Sequence, residues 1–262
     1  MVKIIAVIAI ATGCFAGPAA DAAIKIVGSA DSKIEKLFSR DGDYIDINGN
    51  IDISKVSETL KINSLLRLNY QGDVKFSLRF KSSNAPLLLV KIVKDTLNRL
   101  GYNDILVTDF LNGDEILFGV SVNSKFVLDP GSFYTALKQI DTTIKDVRRL
   151  DEFSYFYELD LSKTTVSNVK ITSGENTLSK PLEPYLIDIS GAKTAAIGAD
   201  GEDRWSAIVR ILDKNLNLLE EKRSDKAINS LKVSFPQNAK YLMIDDAVSL
   251  ENIKRGLKIY LE

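Results

Sequence analysis

Val74-Lys75-Phe76-Ser77-Leu78-Arg79-Phe80 alternates apolar residues with polar or charged ones without a break. Successive side chains of a strand point to opposite faces, so this stretch predicts a strand with one face in a core and the other in water. The segments after it define a module. Asn84-Ala85-Pro86 predicts a helix start, because a proline in the first turn gives up no helical hydrogen bond. Leu89, Ile92, Val93, Thr96, Leu97 and Leu100 then form one apolar stripe, and Gly101 ends it. Ile105–Leu111 and Glu115–Val122 read as two strands joined across Asn112-Gly113-Asp114. Asp129-Pro130 predicts the cap and first turn of a second helix, with Phe133, Leu137 and Ile140 on one side. A last strand alternates Phe153, Tyr155, Tyr157, Leu159 and Leu161 against Ser154, Glu158 and Asp160. Strand, helix, strand, strand, helix, strand over residues 74–163 is the order of a ferredoxin-like βαββαβ module.

On the N-terminal side, residues 23–73 predict a small hairpin and helix unit. Tyr44 to Ile53 alternates on both sides of Asn48-Gly49, a strong hairpin signature. Ser54 is then expected to cap a short helix carrying Val56, Leu60 and Leu65. Asp46-x-Asn48-x-Asn50 copies the first ligand positions of a calcium loop, but Ile51 stands where that loop needs glycine and Ser57 where it needs a bidentate acid. The expectation is therefore a solvated turn without metal.

On the C-terminal side, residues 164–184 predict a linker or edge segment with Gly174, Pro181 and Pro184. From Tyr185 onward each segment reads as strand: Tyr185–Ile189, Thr194–Ile197, Ser206–Leu212, Leu216–Glu220, Ser230–Phe235, Tyr241–Asp245 and Leu257–Leu261. Turn residues separate them at regular spacing, which predicts an antiparallel, jelly-roll-like β-sandwich over residues 185–262. The expected fold class is thus α+β.

Residues 1–22 read as a secretory leader: Lys3, an apolar run from Ile4 to Ala11, then small residues. The run is too short to anchor the chain across a bilayer. Two cuts are open. Ala20-Asp21-Ala22 fits the small-x-small rule and would start the mature chain at Ala23; this is the preferred expectation. Ala11-Thr12-Gly13-Cys14 partly resembles a bacterial lipobox and would leave a lipid anchor on Cys14. Either way the reading is export to the periplasm or beyond, with no further apolar segment long enough to span a membrane.

The 262 residues include no histidine and a single cysteine, Cys14. Histidine-dependent triads, Cys–His dyads and ordinary zinc sites are excluded, as are disulfides in the mature chain. A net charge of −1 provides no electrostatic footprint for nucleic acid. No cofactor motif is present, and no carboxylate pair sits in a context that marks it as catalytic.

The ligand-binding candidates are Asp203, Arg204 and Trp205 after the turn at Asp200-Gly201. Trp205 would stack on a sugar ring while its two neighbours bond hydroxyls; the competing and preferred reading makes it the inward anchor of a sandwich strand. Asp245-Asp246 is read as a solvated turn in preference to a cation site. Tyr155 and Tyr157 are read as core, with Phe156 on the opposite face.

These observations favour an exported, non-enzymatic protein that docks onto other envelope proteins, as an accessory part of a secretion, adhesion or flagellar assembly. A glycan-binding role through the sandwich is the alternative. An apolar patch on an edge strand or helix would favour a protein partner, and an exposed Trp205 on a concave face would favour glycan.

Overall fold

The computed structural model describes residues 17–262 apart from Asp114, Ser167 and Glu202. The apolar run of the leader and Cys14 lie outside the described residues. The fold is mixed α+β and mostly antiparallel sheet.

Five α-helices are described, α1 (Pro18–Val27), α2 (Ser32–Leu37), α3 (Ile53–Ile62), α4 (Pro86–Arg99) and α5 (Pro130–Lys138), with short 3-10 turns at Asp41–Tyr44 and Leu250–Ile253. The first sheet contains β1 (Asn69–Ser82), β2 (Ile105–Asn112), β3 (Ile116–Phe126), β4 (Thr143–Asp151) and β5 (Ser154–Asp160), in the order β2-β3-β1-β5-β4. Phe76, Leu78 and Phe80 are fully buried, whereas Lys75 and Arg79 are exposed. Register carries the same face across the sheet. Leu78 lies opposite Val120 and beside Tyr155; Phe80 lies opposite Phe118 and beside Tyr157. Phe80, Phe133 and Tyr157 meet with ring centroids 5.0–5.5 Å apart, tying α5 to the centre of the sheet.

One strand has no counterpart in the sequence reading. Ile144, Val147 and Leu150 recur every three residues, and register shifts between Ile144 and Asp146 and between Arg149 and Asp151 break the period of two. Those bulges hid β4. Its presence changes the topology. A single crossover from β3 over α5 returns a strand parallel to β3 and so antiparallel to β1; β4 takes that direction. β5 then turns back from it and pairs parallel with β1.

The N-terminal segment shares its core with the module that follows it. From Ala19 to Val166 the buried apolar residues form one continuous core. The expected ladder around Asn48-Gly49 shrinks to one bridge, Ile45 to Ile51, because the Asp46 carboxylate draws the amides of Asn48 and Asn50 into a tight loop. Asp52, not Ser54, caps α3 by accepting the Ser54 and Lys55 amides. Asp129 caps α5 through the Gly131 amide and also takes the Ser57 hydroxyl and the Lys61 ammonium, both at 2.5 Å, so one carboxylate fixes α5 and α3 together.

The remaining strands are β6 (Gly174–Thr177), β7 (Tyr185–Asp188), β8 (Thr194–Ala199), β9 (Ala207–Leu212), β10 (Leu218–Arg223), β11 (Ser230–Ser234), β12 (Tyr241–Asp246) and β13 (Leu257–Leu261). They form two four-stranded sheets, β10-β9-β12-β7 and β11-β8-β13-β6. Ile187, Val209, Leu242 and Ile244 of the first meet Ile197, Val233, Leu257 and Ile259 of the second in a dry core. The opposite face of the first sheet is also apolar. Leu186, Leu212, Tyr241 and Met243 pack into the N-terminal core, which seats the sandwich on the helix-and-sheet unit. β6 comes from the expected linker; it pairs with β13 as an edge strand.

The turn into β13 requires glycine. Gly256 has φ +88°, and a Cβ there would lie 1.8 Å from the Leu178 carbonyl oxygen. Gly49 also has positive φ, at +80°, but nothing lies within 4 Å of its missing Cβ. We expect Gly49→Ala to cost about 1 kcal/mol from backbone strain alone. Gly256→Ala should cost clearly more, on the order of 3 kcal/mol, since backbone must also move. Urea melts of the two variants check the difference; equal losses would refute the close approach.

Candidate functional site

The three sequence-predicted ligand residues do not form one surface. Trp205 is 0 % exposed and sits in the sandwich core, held by paired backbone bonds with Ile228, both 2.9 Å. Its ring offers no face to a sugar. Asp203 pairs with the Arg255 guanidinium and is mostly covered. Arg204 alone is exposed. Glu202, in the same turn, lies outside the described residues.

The acidic motifs are occupied by the protein's own donors. Asp46 Oδ1 accepts the Asn48 amide at 2.8 Å and the Asn50 amide at 3.0 Å, and Oδ2 accepts the Tyr134 hydroxyl at 3.0 Å and the Lys138 ammonium at 3.1 Å. The positive charge beside this carboxylate is Lys138. Burial alone would push its pKa up, but those four hydrogen bonds outweigh burial and bring it down to about 2. Asp246 behaves alike. Its Oδ1 accepts the Val248 and Ser249 amides and the Asn252 side chain, and its Oδ2 accepts the Ser206 amide. It organises the loop after β12 as a buried anchor.

The β2 edge has a different character. β2 pairs only with β3, so its outer edge is open. Leu106 and Leu111 are 62 % and 61 % exposed, and Val107 and Phe110 about half exposed. The opposite edge strand, β4, has α1 packed on it and carries Lys145, Asp146, Arg148, Arg149 and Asp151. Charges and covering elements are the usual protection of a sheet edge; β2 has one acid, Asp109, and one register shift at Thr108. No Lys or Arg occurs from Tyr102 to Ser124, while Asp104, Asp109, Asp114 and Glu115 do. Glu115 is taken up by Lys81 at 2.5 Å. The edge is apolar and acidic.

Sequence reading found β2 as a strand but not its exposure. Ile105-Leu106-Val107 and Phe110-Leu111 are apolar on both faces, which suggests a central strand. The run without Lys or Arg was the available sign of something else. Among the described residues no helix is long and apolar enough to cross a membrane. Comparison of the chain with protein-family models, curated proteins and solved structures returns no match.

Two measurements follow from this geometry. Trp205→Ala should lower stability by about 3–5 kcal/mol, the usual cost of emptying a buried aromatic site, as read by chemical denaturation; near-wild-type stability would put the indole at the surface. The Asp46 carboxylate has a depressed folded pKa. Its contribution is therefore present above the ordinary value of 3.8 and is lost as pH falls through about 2. Asp129 and Asp246 shift in the same direction. Thermal stability should hold from pH 7 to 5 and fall between about pH 4 and 2. Asp46→Asn should cost about 1 kcal/mol at pH 7, after allowing for solvent screening, and almost nothing at pH 2. A loss independent of pH would contradict the charge-based account.

Proposed function

We propose that this chain is an exported, non-enzymatic protein of the cell envelope that docks onto another envelope protein as an accessory part of a larger assembly. The observation that carries the reading is the open β2 edge. Leu106, Val107, Phe110 and Leu111 are exposed there without the charges that guard β4. An extended partner segment can add to such an edge, with backbone hydrogen bonds supplying affinity and alternating side chains supplying selectivity. Around Asp104 and Asp109 the matching segment is apolar with interspersed Lys or Arg. The leader-like order of Lys3, the apolar run and the small residues supports export.

The finer architecture belongs to the same reading. We take residues 69–160 as a ferredoxin-like module extended by β4. The β2-β3-β1-β5 neighbour order supports this, with β5 reversed relative to the parent arrangement. We take the two four-stranded sheets as a jelly-roll-like sandwich. Burial of Trp205 removes the stacking platform on which the glycan alternative rested.

Site-specific photocrosslinking in the native envelope tests the docking reading. A crosslinker at Leu106 or Leu111 should give discrete adducts, and one at Leu182, exposed on a different segment, should not. Leu106→Lys with Leu111→Lys should abolish them while leaving melting within about 0.5 kcal/mol of wild type, as expected for exposed positions. Adducts that form equally at Leu182, or that survive the double substitution, would overturn the proposal.

A further inference from the structure

The small residues at 16–22 fit a cleavage zone, but Pro18–Ala22 lie in a helix. α1 begins at Pro18, and Ala19, Ala20, Ala23 and Ile26 are 0 %, 2 %, 0 % and 0 % exposed. Their spacing of one, four and seven residues makes one helix face, which packs chiefly on β4 and α3. The alanines of that face are fully or almost fully buried, so the face belongs to the core.

Both ends of α1 are tied to distant parts of the chain. At the start, the Asp41 carboxylate accepts the Ala19 amide at 2.9 Å, a cap supplied across twenty-two residues. Gly17 lies so close that a Cβ there would be 2.3 Å from the Asp41 oxygen. At the other end, the buried Tyr155 hydroxyl donates to the Ile26 carbonyl at 3.1 Å, and Lys25 pairs with Asp146 at 2.7 Å.

A cut after Ala22 would therefore remove the first half of a core helix. It would leave Asp41 without the helix it caps. It would also place the new α-ammonium on Ala23, a residue with no exposed surface, and burying an unpaired charge is among the costliest changes a fold can take. The five residues left before Gly28 are too few to hold a helix by themselves.

We infer that the mature protein retains Pro18–Ala22, that Ala20-Asp21-Ala22 is a helix turn and not a processing site, and that removal of the leader cuts the chain upstream of Gly17. The other signal in the sequence, Ala11-Thr12-Gly13-Cys14, lies on that side.

N-terminal sequencing and intact mass of the chain recovered from native envelopes test this directly. The expected mature chain starts at Cys14 or elsewhere before Gly17 and contains Pro18–Ala22. A chain starting at Ala23 overturns the inference and leaves the export reading intact. An uncut Met1 in the cytosol ends the export reading and, with it, the inferred cut upstream of Gly17. Ala22→Gln in the full chain provides a second readout. A glutamine at the last position before the cut violates the small-residue rule, so cleavage after Ala22 would fail and uncut precursor would accumulate. The expected result is processing unchanged from wild type, with only the mass of the substitution added; accumulated precursor would overturn the inference.

Discussion

The first sheet has one dry face, and most of the chain before residue 166 is arranged to cover it. Phe76, Leu78, Phe80, Val120, Tyr155 and Tyr157 all project to that side because their registers agree across three strands. Such a face cannot stay in water. The helices are spent on it, and β4 extends the sheet so far that a further helix is needed at that end. α1 fills the place. The Tyr155 hydroxyl, buried and pushed up to about 12 chiefly by that burial, stays protonated and donates to the last turn of α1. The opposite face of the sheet keeps Lys75, Arg79 and Phe156, with the Arg148 guanidinium 4.4 Å above the Phe156 ring.

Covering one end of the sheet leaves the other end bare. β4 is bulged, charged and overlaid by α1, whereas β2 is apolar and open. The two ends of the sheet therefore differ: one edge strand is charged and has a helix packed on it, and the other is apolar and exposed. The β10 edge of the sandwich differs in charge. It carries Glu220, Glu221, Lys222 and Arg223 beside the exposed Leu218 and Leu219.

Where local pattern and tertiary role agree, the elements were legible in the sequence. Val74–Phe80 is the middle of β1, the stripe from Leu89 to Leu97 faces the core, Asp129 caps α5, and all seven strands read after Tyr185 are present. Where a side chain or a bulge overrode the pattern, they were not. Asp46 turned an alternating hairpin into a loop, and β4 lost its period to register shifts. The site was less legible than the fold. Exposure of Leu106 and Leu111 depends on which strand ends the sheet, and strand order is not written in local pattern. Small residues from Ala16 to Ala23 satisfy a cleavage rule and a close-packed helix equally well; only the Asp41 cap and the buried alanine face distinguish the two.

The central claim is that α1 belongs to the same cooperative core as the sheet it covers. Native-state hydrogen exchange on the full chain measures this amide by amide. The account predicts that the amides from Ala22 to Val27 open with the same free energy as those of Phe76, Leu78 and Phe80, because neither layer is stable without the other. Exchange of the α1 amides several kcal/mol more easily than those of β1 would show a helix resting on a finished core, and would contradict it.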